Sequence, residues 1–203
     1  MSIENWIAFV LASMVLTMTP GPSILLGVVH SVNYGVKKTM YTALGDITAN
    51  CIQMILVAVG LGVVIASSDM AFQAIKWFGV ITLVYMGLKM VLAKPASVEV
   101  MQQVTSSRGR LFINGFIVAA GNPKAIVFFT AFFPQFIDPS QPLLQQMLIM
   151  CPTMALLDFT WVMIYAMTAK RFLGFMQTRP RLLNRVGGSS LLGASCFLAF
   201  SNR

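Results

Sequence analysis

The chain has 203 residues, 57% of them hydrophobic and only 10% charged, with a mean hydropathy of +0.79. Such a composition excludes an ordinary soluble surface and points to an integral membrane protein. A formal charge of +8 would suit nucleic acid, yet the basic residues fall in short links between apolar runs, so no nucleic-acid partner is expected.

The first apolar run covers about residues 3–29. It carries Glu4, lacks a basic leader and outlasts a signal peptide's hydrophobic core, so it is expected to stay uncleaved. Inside it stands Thr19-Pro20-Gly21-Pro22. Each proline removes a backbone donor and clashes with the preceding turn, so the helix must break there. In lipid such a break survives only where protein or a wet cavity receives the freed backbone.

A polar link holds the sole histidine, His30, and Lys37 and Lys38; a second run, about residues 39–66, carries Asp46 and Asn50. Ser67-Ser68-Asp69 turns the chain into a third run, about residues 70–91. Residues 94–110 form the one real linker, marked by Lys94-Pro95 and Thr105-Ser106-Ser107. A fourth run, about residues 111–137, is interrupted near its middle by Asn122-Pro123-Lys124. The fifth, about 143–168, carries Asp158, and the sixth covers about 182–200.

The expected fold is therefore all-α, a single domain of six transmembrane helices with helices 1 and 4 broken. Basic residues gather in links one, three and five, whereas the second and fourth carry Asp69 and Asp138, with Lys76 the one nearby cation. By the positive-inside rule the odd links are cytoplasmic and both termini lie outside. Three spans per half make the second half insert upside down, an inverted repeat of about 1–94 against 111–203. Pro20 then answers Pro123, Asp46 answers Asp158, and Gly79/Gly87 answer Gly187/Gly193. Two interrupted spans at corresponding places are the best sequence pointer to a transporter's binding site.

Three formal charges fall well inside the runs: Asp46, Lys124 and Asp158. Each costs at least ~2.5–3.5 kcal/mol at a helix centre unless paired or wetted. At ~1.5 Å per residue, Lys124 lies about 20 Å from Arg110, Asp158 about 18 Å from Lys170 and Pro20 about 15 Å from His30, all near the midplane. Asp46 is shallower, roughly 10–12 Å from Lys38 on the same rise. A Lys124–Asp158 ion pair fixing helix register is the structural alternative, and packing is the default for Asn50, Thr17 and Thr19. Phe128, Phe132 and Phe136 form a helix-spaced stripe that faces lipid, neighbouring helices or a substrate path. Cys51, Cys151 and Cys196 are odd in number and show no metal-ligand spacing, so they read as packed free thiols with no metal and no cofactor.

With these residues in view, the chain resembles the LysE/RhtB superfamily of bacterial amino-acid exporters. The match rests on Thr19-Pro20-Gly21-Pro22; on Lys76-Trp77-Phe78-Gly79 with Tyr85-Met86-Gly87; on Asn122-Pro123-Lys124-Ala125-Ile126 running to Phe133-Pro134-Gln135-Phe136; and on Asp158. Ser23 stands where the family often has Asn after Pro-Gly-Pro. Gly45 to Ala49 stands for a Gly-x-x-x-Gly, with Asp46 as an extra acid. The resemblance implies efflux of amino acids such as lysine, threonine, homoserine or leucine across the bacterial inner membrane, driven by an ion gradient and read here as proton antiport. The expected substrate site is Pro20, Gly21, Ser23, Asn50, Asn122, Pro123, Lys124 and Asp158. Freed N–H groups and Lys124 hold the carboxylate, Asp158 faces the ammonium and is the first proton carrier, and Asp46 is the second. A channel, an exporter of another small metabolite and an intramembrane enzyme are the rival readings. A bundle this small also leaves room for a homodimer.

Overall fold

A computed structural model describes residues 1–93 and 106–200, so Lys94, Pro95 and Thr105 of the linker lie outside the described residues. Every regular element described is helical. Helix α1 (Ile3–Met18) starts on the Ser2 side chain, which accepts from the Asn5 N–H, and ends at the first break. Helix α2 (Pro22–Tyr34) restarts with proline in its first turn, where a missing N–H costs nothing, at an angle of 54° to α1. Gly35, at φ 83, makes the turn into α3 (Val36–Ser67), a conformation that glycine adopts without strain. Helix α4 (Asp69–Leu92) follows.

Beyond the linker, α5 (Arg108–Ala120) and α6 (Pro123–Val127) repeat the pattern of the first pair. The bend across Gly121 and Asn122 is 53°. From α6 the chain widens into a π turn over Phe128–Phe132 and tightens into a 3₁₀ turn over Phe133–Phe136. Helix α7 (Leu143–Met167) buries Gln146, Met150, Met154, Asp158, Val162 and Ala166, one residue per turn along a single stripe. The link after it, expected as a basic connection, holds the short helix α8 (Ala169–Thr178), and α9 (Pro180–Phe200) closes the chain.

Helices α3, α4 and α7 are each long and apolar enough to cross a membrane, and the two bent pairs raise the number to five. Helix α9 opens with Arg181, Asn184 and Arg185 and is not among these five, but it packs along α4. The protein is thus an all-α, multi-span membrane protein with two broken helices. Trp77, Phe78, Ile81, Tyr85 and Leu88 point outward from α4, as lipid-facing side chains do. Lys76, which the sequence reading set beside a link, is buried on the same helix.

The tightest packing joins α3 to α5 and α4 to α9. Its cause is glycine. A Cβ at Gly45 would fall on the Phe112 carbonyl, and one at Gly115 on the Thr42 carbonyl, so both backbones approach as only small residues permit. Gly115→Ala is expected to prise α5 from α3 and cost on the order of 1–3 kcal/mol, seen as a lower unfolding temperature in detergent. An unchanged temperature would mean that the helix pair is free to separate.

Candidate functional site

Both breaks create a backbone accounting problem, and its solution builds the site. In a continuous helix the Leu16 carbonyl would accept from residue 20 and the Met18 carbonyl from residue 22, but both are prolines. The orphaned oxygens find distant donors. Lys124 Nζ donates to the Leu16 carbonyl at 2.8 Å and to the Thr19 carbonyl at 2.6 Å, while the Tyr165 hydroxyl of α7 donates to the Met18 carbonyl at 2.9 Å. At the second break Asn122 caps α6, its side chain accepting from the Lys124 N–H at 3.1 Å. The Ala120 carbonyl takes a bond from Gln53 Nε2, also at 3.1 Å. Asn122 Nδ2 then reaches Ser23 Oγ of α2 at 3.5 Å, so the two breaks touch. Lys124 is the staple between them.

Opposite this staple lie the carboxyls. Asp46 and Asn50 sit one turn apart on the buried face of α3, and Asn50 Nδ2 donates to Asp158 Oδ2 of α7 at 2.7 Å. The Asp46 and Asp158 carboxyl groups adjoin, and neither Asp46 oxygen has a hydrogen-bond partner among the described residues. Lys124 stands within electrostatic reach of both acids, although the described hydrogen bonds of its ammonium go to backbone carbonyls. The Lys124–Asp158 register pair weighed from sequence is therefore not formed. An ammonium has three N–H donors, and the third finds no acceptor among the described residues.

Gly21, Ser23, Asp46, Asn50, Asn122, Lys124 and Asp158 line one polar cavity of about 20 Å³. Seven of the expected residues are thus brought together. Asp46, expected nearer the cytoplasmic face, shares the site because Asn50, a turn deeper, aims the same face of α3 at Asp158. The two prolines stand apart: Pro20 is half-buried, Pro123 is exposed, and neither lines the cavity. Their contribution is the broken ladder that leaves carbonyls for Lys124 and Tyr165. His30 is buried between α2 and α3, its Nδ1 2.7 Å from Thr42 Oγ1, and lies outside the cavity lining. Tyr165 was missed by sequence reading. The signal was present in part, since counting four residues back from each proline names the carbonyls that need a donor, though not the donor.

A second, apolar cavity of about 310 Å³ adjoins the first, and Lys124 and Leu16 line both. The Phe128 and Phe132 rings, stacked at 5.4 Å, form part of its wall, with Phe197 of α9 against Phe132 at 5.7 Å.

Fold and site together define a multi-pass membrane protein built around one buried charged centre at two helix breaks. The chain belongs to the LysE type translocator family, whose model matches residues 14–202. It is 35% identical over 202 residues to the homoserine/homoserine lactone efflux protein of Salmonella typhimurium, covering 98% of each chain. It is 28% identical to a membrane protein of Vibrio cholerae, again over 98% of each. With the leucine efflux protein of Salmonella choleraesuis it shares 26% identity over 203 residues, covering 99% of this chain and 94% of the relative. No solved structure matches it.

Proposed function

We propose that this protein exports amino acids from the cytoplasm across the bacterial inner membrane by proton antiport, with both termini outside. The observation that carries the reading is the polar cavity itself: one ammonium and two carboxyls, buried where two broken helices meet. Buried charges of this kind mark ion and substrate pathways. An amino acid presents a carboxylate and an ammonium, and each needs a partner once it leaves water. The free N–H of Lys124 receives the first, and the Asp46–Asp158 pair receives the second. The names of the homoserine and leucine efflux relatives point to the same substrate class.

Charge counting gives the coupling. With both acids ionised, Lys124 leaves the site one negative charge, which favours the substrate's ammonium. A proton arriving from outside on either acid brings the sum to zero and weakens the hold on that ammonium. Substrate and proton thus compete for one pair of carboxyls, as antiport requires.

Alternating access would come from rocking two inverted repeats, with α9 as the sixth span. In support, the breaks bend by 54° and 53°, α3 packs on α7, and α4 packs on α9, so the paired spans of the two halves meet each other. The test is transport in inside-out vesicles or proteoliposomes across a panel of amino acids. Accumulation of an amino acid only when the compartment standing for the outside is acidic is the expected result. Downhill flux that neither saturates nor responds to the gradient would make the protein a channel, and a chemical product would make it an enzyme.

A further inference from the structure

The polar cavity has room for about one water molecule, far less than any amino acid needs. The substrate's bulk must therefore lie elsewhere while its charged groups are at Lys124 and the acids. The apolar cavity is the adjoining space, and its 310 Å³ falls at the lower end of the range for small-ligand sites. It runs from the break toward the N-terminal end of α1, between α1, α4, α9 and the π turn. We infer that this cavity is the side-chain subsite, and that the exported amino acids are those with a sizeable apolar side chain. The inference rests on the export reading above and sharpens it.

The lining supports that choice over a polar side chain. Phe128, Phe132, Phe197, Leu83, Leu191 and Val15 supply aromatic and aliphatic surface. The hydroxyls at its edge are already engaged with backbone: Ser190 Oγ donates to the Val186 carbonyl at 2.9 Å and Thr19 Oγ1 to the Val15 carbonyl at 2.6 Å. A charged or hydroxylated side chain would lose water there and gain little in return. The one cation at the floor, Lys124, has its spare N–H for a carboxylate. An apolar chamber ending in a single carboxylate-binding group fits an amphipathic acid with the tail outward and the head at the break. The π turn contributes by setting Phe128 and Phe132 face to face on one wall.

Gly193 gives a clean probe. It lines the cavity at an exposed position on α9, and a Cβ built there meets no atom within 4 Å, so a larger side chain narrows the cavity's open side without displacing a neighbour. Gly193→Leu should lower the ratio of kcat/KM for leucine to that for alanine by about tenfold or more, the usual effect of losing methylene-sized room in a substrate pocket. Phe132→Ala, which enlarges the opposite side, should move the ratio toward phenylalanine-sized substrates. As a readout independent of turnover, maleimide labelling of Gly193→Cys in a chain whose free Cys51, Cys151 and Cys196 are replaced by alanine should slow with leucine and not with glycine. Wild-type transport of both amino acids, with the ratio unchanged in Gly193→Leu and labelling indifferent to leucine, overturns the subsite alone and leaves the chamber to a lipid chain. Wild-type silence on every amino acid sinks the export reading and the subsite with it.

Discussion

Asp158→Asn is expected to abolish pH-driven accumulation while exchange of substrate across the membrane continues. Asn is nearly isosteric with Asp, and its side-chain carbonyl can still accept from Asn50 Nδ2, which now donates to Asp158 at 2.7 Å. The link between α3 and α7 therefore survives. The new amide also offers a donor beside Asp46, whose oxygens have no hydrogen-bond partner among the described residues. Stability in detergent should hold or rise. What disappears is the exchangeable proton and one negative charge, so the site keeps a partner for the substrate's ammonium in Asp46 but loses half of the pair for which proton and substrate compete. In proteoliposomes, accumulation against a gradient should fall to the level of empty liposomes, with counterflow still measurable. Full gradient-driven accumulation in Asp158→Asn would remove Asp158 from the proton path. Loss of coupling in Asp46→Asn alone would assign the proton to Asp46.

How far the sequence could be read depended on whether a feature was local. The breaks were legible because Pro20, Pro22 and Pro123 act on their own helices, whatever surrounds them. The polar set was legible because a charge in an apolar run needs a reason, and Asp46, Asn50, Lys124 and Asp158 do converge. Rise per residue placed Lys124 and Asp158 together but set Asp46 too far away, since depth along one helix says nothing of how neighbouring helices lean. Tyr165 was illegible for a related reason: its role depends on α7 passing the orphaned Met18 carbonyl, a relation between spans 147 residues apart. The stripe of Phe128 and Phe132 was visible, yet its side became clear only once α9 brought Phe197 against it. Helix α8 was hidden because Lys170, Arg171 and Arg179 read as a topology signal, while Lys170 and Arg171 stand exposed in the first turn of a short amphipathic helix and Arg179 follows its end.

Lys124→Met should remove both substrate binding and part of the fold, and the two losses can be separated. Methionine matches much of the aliphatic stem, so packing against Gly21 is largely kept. The ammonium's bonds to the Leu16 and Thr19 carbonyls are lost. Orphaned buried carbonyls cost about 1–3 kcal/mol each, so the unfolding temperature in detergent should drop. Substrate binding loses a charge-assisted contact worth roughly 1.5–3 kcal/mol, a rise in dissociation constant of about ten- to a hundredfold. The decisive comparison is ligand-induced stabilisation. Wild type should unfold at a higher temperature in the presence of its amino acid, because a ligand that binds only the folded state shifts the equilibrium toward it. In Lys124→Met that increment should all but vanish at a ligand concentration near the wild-type dissociation constant. A variant that is less stable but still gains the full increment would confine Lys124 to holding the two breaks together. The carboxylate would then have to be bound by backbone N–H groups at the N-terminus of α2, which has no side-chain cap and where the helix dipole provides the positive field.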